Sequence, residues 1–247
     1  MKNTDNLLPE QLERQMEAAQ MVAETMRVLQ KSNTNLIGEI ISTSTSDADT
    51  YYEWEHLPPG DAYDLESHSQ YYYHSHAKSE DGSSIHDDEH GHFHTFMRAK
   101  GYPEGIEPVA LPDYEPVEDL SDIVTHVIGV GMNEMGVPIR LFTVNRWVTG
   151  EIWHAAEDII KMLDSFEIDD TRPSWPMNLW ISNLVALYRP QIEVLIRQRD
   201  EAIAKWQAEH PDVENVYEDR NLEVTSHLDI NLAEYVTNLE ESLQEAA

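Results

Sequence analysis

Apolar residues recur every three or four positions from Pro9 to Lys31, at Leu12, Met16, Ala19, Ala23, Met26 and Leu29, with Glu and Gln on the opposite side. That spacing predicts a helix with one packing face. Asn-rich residues 33–35 interrupt it, and NLIGEII reads as a short continuation, so the N-terminal helical segment runs over 9–41. The period then falls to two. TYYEWEH (50–56) alternates as a half-buried strand does, PPGD turns the chain, and SQYYYHSH (69–76) and HGHFHTFM (90–97) read as two further strands joined by a long charged connection. After the Pro- and acid-rich residues 99–122, IVTHVIGVGM and PIRLFTVNRWV form a second hairpin about the turn NEMG. Helical spacing returns after Thr149 and Gly150 with Ile152, Ala156, Ile159, Leu163 and Phe166. Another helix begins near Ser174, bends at Pro190 and ends near Ala208. LEVTSHLDI adds a strand, and Leu232, Val236, Leu239 and Leu243 mark a final short helix.

Strands in the middle and helices at both ends predict an α+β fold. It has a central antiparallel sheet of about five to six strands, an N-terminal helix and a C-terminal helical segment. The chain reads as one domain over 1–247. Its parts are the helical segment 9–41, a His- and Tyr-rich sheet over 50–147, a helical segment over 151–209 and an acidic extension over 210–247. The glycines of GVGMNEMG echo a dinucleotide fingerprint but read as lying between two strands with no helix after them, so that motif is set aside.

Charge narrows the choice of partner. The 247 residues carry 47 acids against 16 bases, a formal charge of −31. The scattered Lys and Arg provide no phosphate-tracking surface, so neither nucleic acid nor an anionic membrane is an expected partner. MKNTDNLLPEQLERQ lacks the apolar core of a secretory signal, and no run approaches the ~20 apolar residues of a membrane span. A soluble cytoplasmic protein is therefore expected. With no cysteine, disulfides, thiolate nucleophiles and thiolate-held metals are excluded, which leaves His and carboxylates as the ligands for any metal.

Histidine is where the chemistry concentrates. Eight of the 12 histidines lie between His56 and His94, and six of the 11 tyrosines lie between Tyr51 and Tyr73. On a strand, residues two apart share a face and are separated by ~6.6 Å, close enough for two imidazoles to meet one ion. Residues four apart span ~13 Å, too far unless the strand bends. The economical arrangement is one HxH pair from each strand, with His74 and His76 facing His92 and either His90 or His94, and His56 nearby. Glu89 then serves as a further ligand, as an acceptor for the N–H of a ligand histidine, or as a proton shuttle. Three imidazoles with an open position suit Zn²⁺ and water activation, two with a carboxylate suit non-haem Fe²⁺, and Mn²⁺ also accepts imidazole; a closed four-His site would be structural. A metal-free polar cluster or a loose metal-sequestering tract are the plainer readings of the same residues.

Other residues belong to this picture less directly. His126 shares its strand with Ile128 and Val130 and could reach the same cavity, but reads first as a satisfied core histidine, while His154, His210 and His227 read as incidental. Tyr72 or Tyr73 is placed to orient a substrate. Arg140 and Arg146 fall on one face of the second hairpin, and Arg146 is expected to bind an anionic group, although pairing with some of the many acids is the simpler role.

EWEHLPPGDAYD, HSQYYYHSH, EHGHFHTFMR, PIRLFTVNRWVTGE and RPSWPMN resemble the motifs of a bacterial family catalogued as a domain of unknown function, over most of the chain from about residue 35. The resemblance implies a bacterial source and brings no activity, cofactor or catalytic residue. The expectation is thus a cytosolic metalloprotein with a His-rich transition-metal centre on a β-hairpin, a hydrolase or oxygenase acting on a small anionic substrate. In that reading Glu89, Tyr72 and Arg146 are the catalytic groups. The competing expectation is a non-catalytic metal- or ligand-binding module, or a structural metal in an interaction protein.

Overall fold

A computed structural model describes residues 7–44, 55–75, 88–112 and 123–246. The apolar stripe near the N-terminus forms α1 (Pro9–Lys31), opened by a proline in its first turn, where the missing N–H has no intrahelical partner to lose. Asn33, in the left-handed region (φ 57°), separates it from α2 (Leu36–Ser44).

Six strands follow in one antiparallel sheet, with spatial order equal to chain order. They are β1 (Leu57–Tyr63), β2 (Ser69–Ser75), β3 (Gly91–Arg98), β4 (Val124–Met132), β5 (Pro138–Val144) and β6 (Val224–Asp229). Between β5 and β6 the chain makes α3 (Arg146–Thr149), α4 (Ala156–Met162), α5 (Trp175–Leu187) and α6 (Arg189–Glu209); α7 (Leu232–Ala246) ends it. The expected α+β class therefore holds, with an N-terminal helix, a six-stranded sheet and C-terminal helices. Among the described residues no helix is long and apolar enough to cross a membrane.

Several boundaries differ from the sequence pattern. The PPGD stretch is part of β1, where the register jumps between Leu57↔Tyr73 and Ala62↔Tyr71. An edge strand can carry prolines and extra residues because one side of its backbone needs no ladder partner. Residues 50–54 of the proposed TYYEWEH strand lie outside the described residues, and residues 55–56 precede β1. Gly129 and Gly131 lie inside β4, as the strand IVTHVIGVGM had them. RWVT is helical where a strand was expected, because Gly150 (φ 66°) closes α3 in the left-handed region. Ile152 is extended, its N–H donating to Val124 O beside β4, so the helix begins only at Ala156.

One face of the sheet builds the main core. Tyr71, Tyr73, Phe93, Ile128, Val130, Met132 and Leu141 are buried there in one cluster with Trp180, Ile192 and Leu195 from α5 and α6. Phe93 meets Trp180 with ring centres 5.5 Å apart, and Tyr71 Oη donates to Asn178 Oδ1 at 2.7 Å. The helices anchor this face. The alternate residues of β2, β3, β4 and β5 point the other way, and His74, His92 and His94 are among them.

Candidate metal centre

The register of the inner strands aligns the second face in rows. His74 of β2 pairs with His92 of β3, which pairs with Gly131 of β4, which pairs with Arg140 of β5. One row along, Tyr72 pairs with His94, His94 with Gly129 and Gly129 with Phe142. Period-two alternation puts His92 and His94 on one face, and the register of β2 on β3 sets His74 directly opposite His92.

His74, His92 and His94 each offer a ring nitrogen, and the three nitrogens lie within 4.8 Å of one another. Ligands of one ion would each stand ~2.0–2.1 Å from it, which that spacing allows. His74 and His92 face each other at a hydrogen-bond distance, Nε2 to Nε2 at 2.6 Å, and would part slightly to admit an ion. His92 Nδ1 faces Glu89 Oε1 at 2.7 Å, so the ring carries its proton there and presents a lone pair at Nε2. A carboxylate behind a ligand histidine is the arrangement that orients the ring and raises its basicity toward a metal.

His94 is held in a similar way. Its Nδ1 lies 2.9 Å from His126 Nε2, and both rings are almost wholly buried. With His94 Nδ1–H as donor, its Nε2 remains for an ion. Burial first, then the neighbouring imidazoles, hold His94 well below its ordinary pKa, and burial together with the Arg199 guanidinium and His92 pushes His126 down to about 3. Both rings are therefore neutral near pH 7, as a metal ligand and its acceptor must be.

His126 reaches this face through a β-bulge. Thr95 pairs with Ile128, but Phe96 pairs with His126, leaving Val127 as the extra residue. The bulge inverts the alternation. His126 thus lies on the face opposite Ile128 and Val130, which the simple period-two reading had given it as neighbours. Behind it, Glu151 Oε2 accepts from the His126 backbone N–H at 2.7 Å, and burial pushes the Glu151 carboxyl up to about 7.

Two glycines shape the floor. A Cβ on Gly129 would stand 2.4 Å from the Phe142 ring, so its absence lets that ring lie over β4 with its centre 5.1 Å from His92 and 5.8 Å from His94. A Cβ on Gly131 would stand 2.6 Å from Glu89 Oε2, so its absence admits the carboxylate that holds His92.

The remaining residues singled out in the sequence are distributed as follows. Tyr72 is 7% exposed and sits among rings, with His74, His94 and Phe96 centres 5.3–5.5 Å away; burial raises its pKa. His56 stacks on Tyr72 at 3.5 Å and lies 6.2 Å from His74, outside the group of three; its Nδ1 pairs with Asp61 Oδ1 at 2.9 Å. Gln70 Nε2 donates to the other oxygen of Asp61, and Arg98 donates to Gln70 Oε1. His90 precedes β3 and is not one of the three; its Nδ1 meets Tyr73 Oη at 2.6 Å, and Tyr73 belongs to the core face. His76 lies outside the described residues. Arg146 begins α3 and pairs with Glu218, whereas Arg140 is the arginine in the row of His74 and His92.

Gly129, Gly131 and Phe142 carry roles that sequence reasoning did not assign them, and His126 takes the place beside the cluster that was the less favoured of its two readings. A signal for two of them was present, since alternating glycines in a β-branched strand mark places where something approaches the backbone closely. The bulge that redirects His126 left no such mark.

The fold and site together define an α+β protein whose antiparallel sheet carries a His triad able to hold a metal ion. The chain belongs to the family described as Domain of unknown function (DUF6969), which it matches over residues 16–230. No curated protein and no solved structure matches it.

Proposed function

We propose that the protein binds one divalent transition ion through His74, His92 and His94 and uses it in hydrolytic chemistry on a small molecule. The observation that carries this reading is the convergence of three imidazole nitrogens from two paired strands, two of whose rings are held from behind by Glu89 and His126. Zn²⁺ fits best. Three-His sites with a vacant position are a zinc pattern, whereas the non-haem iron pattern needs a carboxylate as a direct ligand. The carboxylate beside the triad, Glu89, is engaged with His92. The bound ion supplies Lewis acidity toward water or toward a polarised substrate oxygen.

The chain's own residues do the rest. Glu89 and His126 fix which nitrogen of each ligand faces the ion. Phe142, Tyr72 and Phe96 are all under a tenth exposed and give the site aromatic walls that strengthen electrostatic interactions within it. The acidic surface raises the local concentration of cations.

The test is zinc-loaded, untagged protein assayed with simple 4-nitrophenyl esters and phosphates. Turnover that disappears with a chelator, returns with Zn²⁺ and is absent in His92→Ala supports the reading. Turnover unaffected by the chelator, or a fully loaded protein inert to these and to a broad panel of hydrolysable small molecules, contradicts hydrolysis and leaves a binding module.

A further inference from the structure

Arg140 stands apart from the chain's other arginines in its relation to the histidines. The pairing His92↔Gly131↔Arg140 puts it two strands from a ligand of the triad, ~9.6 Å between Cα atoms at ordinary strand spacing. The residue between them has no side chain, and Phe142, two residues along β5 on the same face, touches both His92 and His94. The guanidinium is only partly matched. Nε and Nη2 contact Asp229 Oδ1 at 2.7 Å each, while Nη1 is buried with no hydrogen-bond partner among the described residues. Asp229 is 73% exposed at its side chain, so it is a weak claimant on the arginine.

The other cations are placed differently. Arg98 is four residues from His94 on the same strand, ~13 Å away, and donates to Gln70. Arg146 is in α3 against Glu218, and Arg199, buried against Asp200, the His154 carbonyl and the Trp153 ring, acts on His126 and Glu151 but is already matched by those contacts.

We infer that Arg140 is the residue that recognises the substrate of the triad, and that the substrate is a small oxyanion-bearing molecule. Its carboxylate or phosphate group docks on Arg140 while a group a few bonds away reaches the metal. This inference rests on the metal reading above. A guanidinium suits the task because its planar fork matches two oxygens at once, which a lysine ammonium does not. The two-strand spacing between Arg140 and His92 limits the substrate in length, and the scarcity of cations on a −31 chain favours this arginine as the anchor.

The experiment uses full-length protein loaded with Co²⁺, whose visible absorption reports the ligands of the site, titrated with inorganic phosphate and separately with acetate. In wild type at least one anion changes the spectrum saturably. Arg140→Met leaves the Co²⁺ stoichiometry unchanged and weakens that anion at least tenfold, Arg140→Lys falls between the two, and Asp229→Asn binds as tightly as wild type or more so. Which anion responds identifies carboxylate or phosphate as the preferred group. Equal affinity in wild type, Arg140→Met and Arg140→Lys overturns the inference, as does a wild-type spectrum that neither anion moves. Should Arg140→Met not fold, Arg140→Lys decides, since loss of the fork alone must weaken binding. Failure of wild type to take up Co²⁺ at all refutes the metal reading itself, a result distinct from either of these.

Discussion

At the scale of single residues, the site depends on which nitrogen each histidine presents. His92 and His94 share a face by alternation, but their usefulness to an ion comes from Glu89 and His126 occupying the Nδ1 side of each. Replacing His126 with Ala should leave one metal bound and weaken it by roughly 10- to 100-fold, the usual cost of removing an outer-shell partner. Competition with a chromophoric chelator measures this, and His210→Ala, remote from the site, should give the wild-type constant. Glu151 makes a separate prediction about pH. Its carboxyl is raised by burial from an ordinary 4.5 to about 7 in the folded state. Below 4.5 both folded and unfolded chains are protonated there and the group is neutral in its effect. Between 4.5 and 7 the unfolded chain loses its proton first, so stability falls as pH rises, by about 3 kcal/mol in all, and levels off above 7. Urea unfolding of Glu151→Gln at pH 5, 6 and 8 should lack this decline; an unchanged decline would assign it to other groups.

At the scale of elements, β4 decides the shape of the site although it contributes no ligand to the triad. Gly129→Ala sets a methyl group against the Phe142 ring and should lower stability by about 1–3 kcal/mol, read as a drop in Tm. Gly131→Ala meets only the flexible end of Glu89, so it should cost less stability and instead weaken metal binding by displacing the carboxylate from His92. If the two variants behave alike, this division of labour is wrong. The same strand marks how far the sequence could be read. Alternation set His74 against His92, with His94 as one of two candidates beside it, because β2 and β3 pair without interruption; His90 falls outside the triad and His76 outside the described residues. The α1 stripe and the break near Pro190 followed from helical period and proline chemistry. His126 was legible only as the less favoured of two readings, because a bulge is set by packing between strands and inverts every face assignment beyond it. RWVT was misread for a related reason. Its β-branched and aromatic content favours a strand, while Asn145 accepting from Arg146 N–H and the left-handed Gly150 close a helical turn there. Arg146 was consequently assigned a face it does not occupy, and Arg140, in true strand geometry, kept its place.

At the scale of the whole molecule, the sheet separates two tasks. One face is a continuous core with the helices, and the other gathers imidazoles, phenyl rings and one row-aligned arginine. Because the triad joins β2 to β3, already paired over seven residues, metal removal should lower Tm only modestly and leave the far-ultraviolet circular dichroism unchanged. Global unfolding on chelation would instead mark a structural metal. Membership of the DUF6969 family covers residues 16–230, so the strands that carry the triad, the bulge and both floor glycines all fall within it.

The most direct measurement is elemental analysis of protein purified without an affinity tag and passed through gel filtration, in wild type and in His92→Ala. Wild type should carry about one equivalent of a single transition metal per chain, and His92→Ala should carry none while keeping its circular dichroism. Substoichiometric mixed metals removed by dialysis, or a variant that retains the metal, would contradict the assignment of His74, His92 and His94 as a specific metal centre.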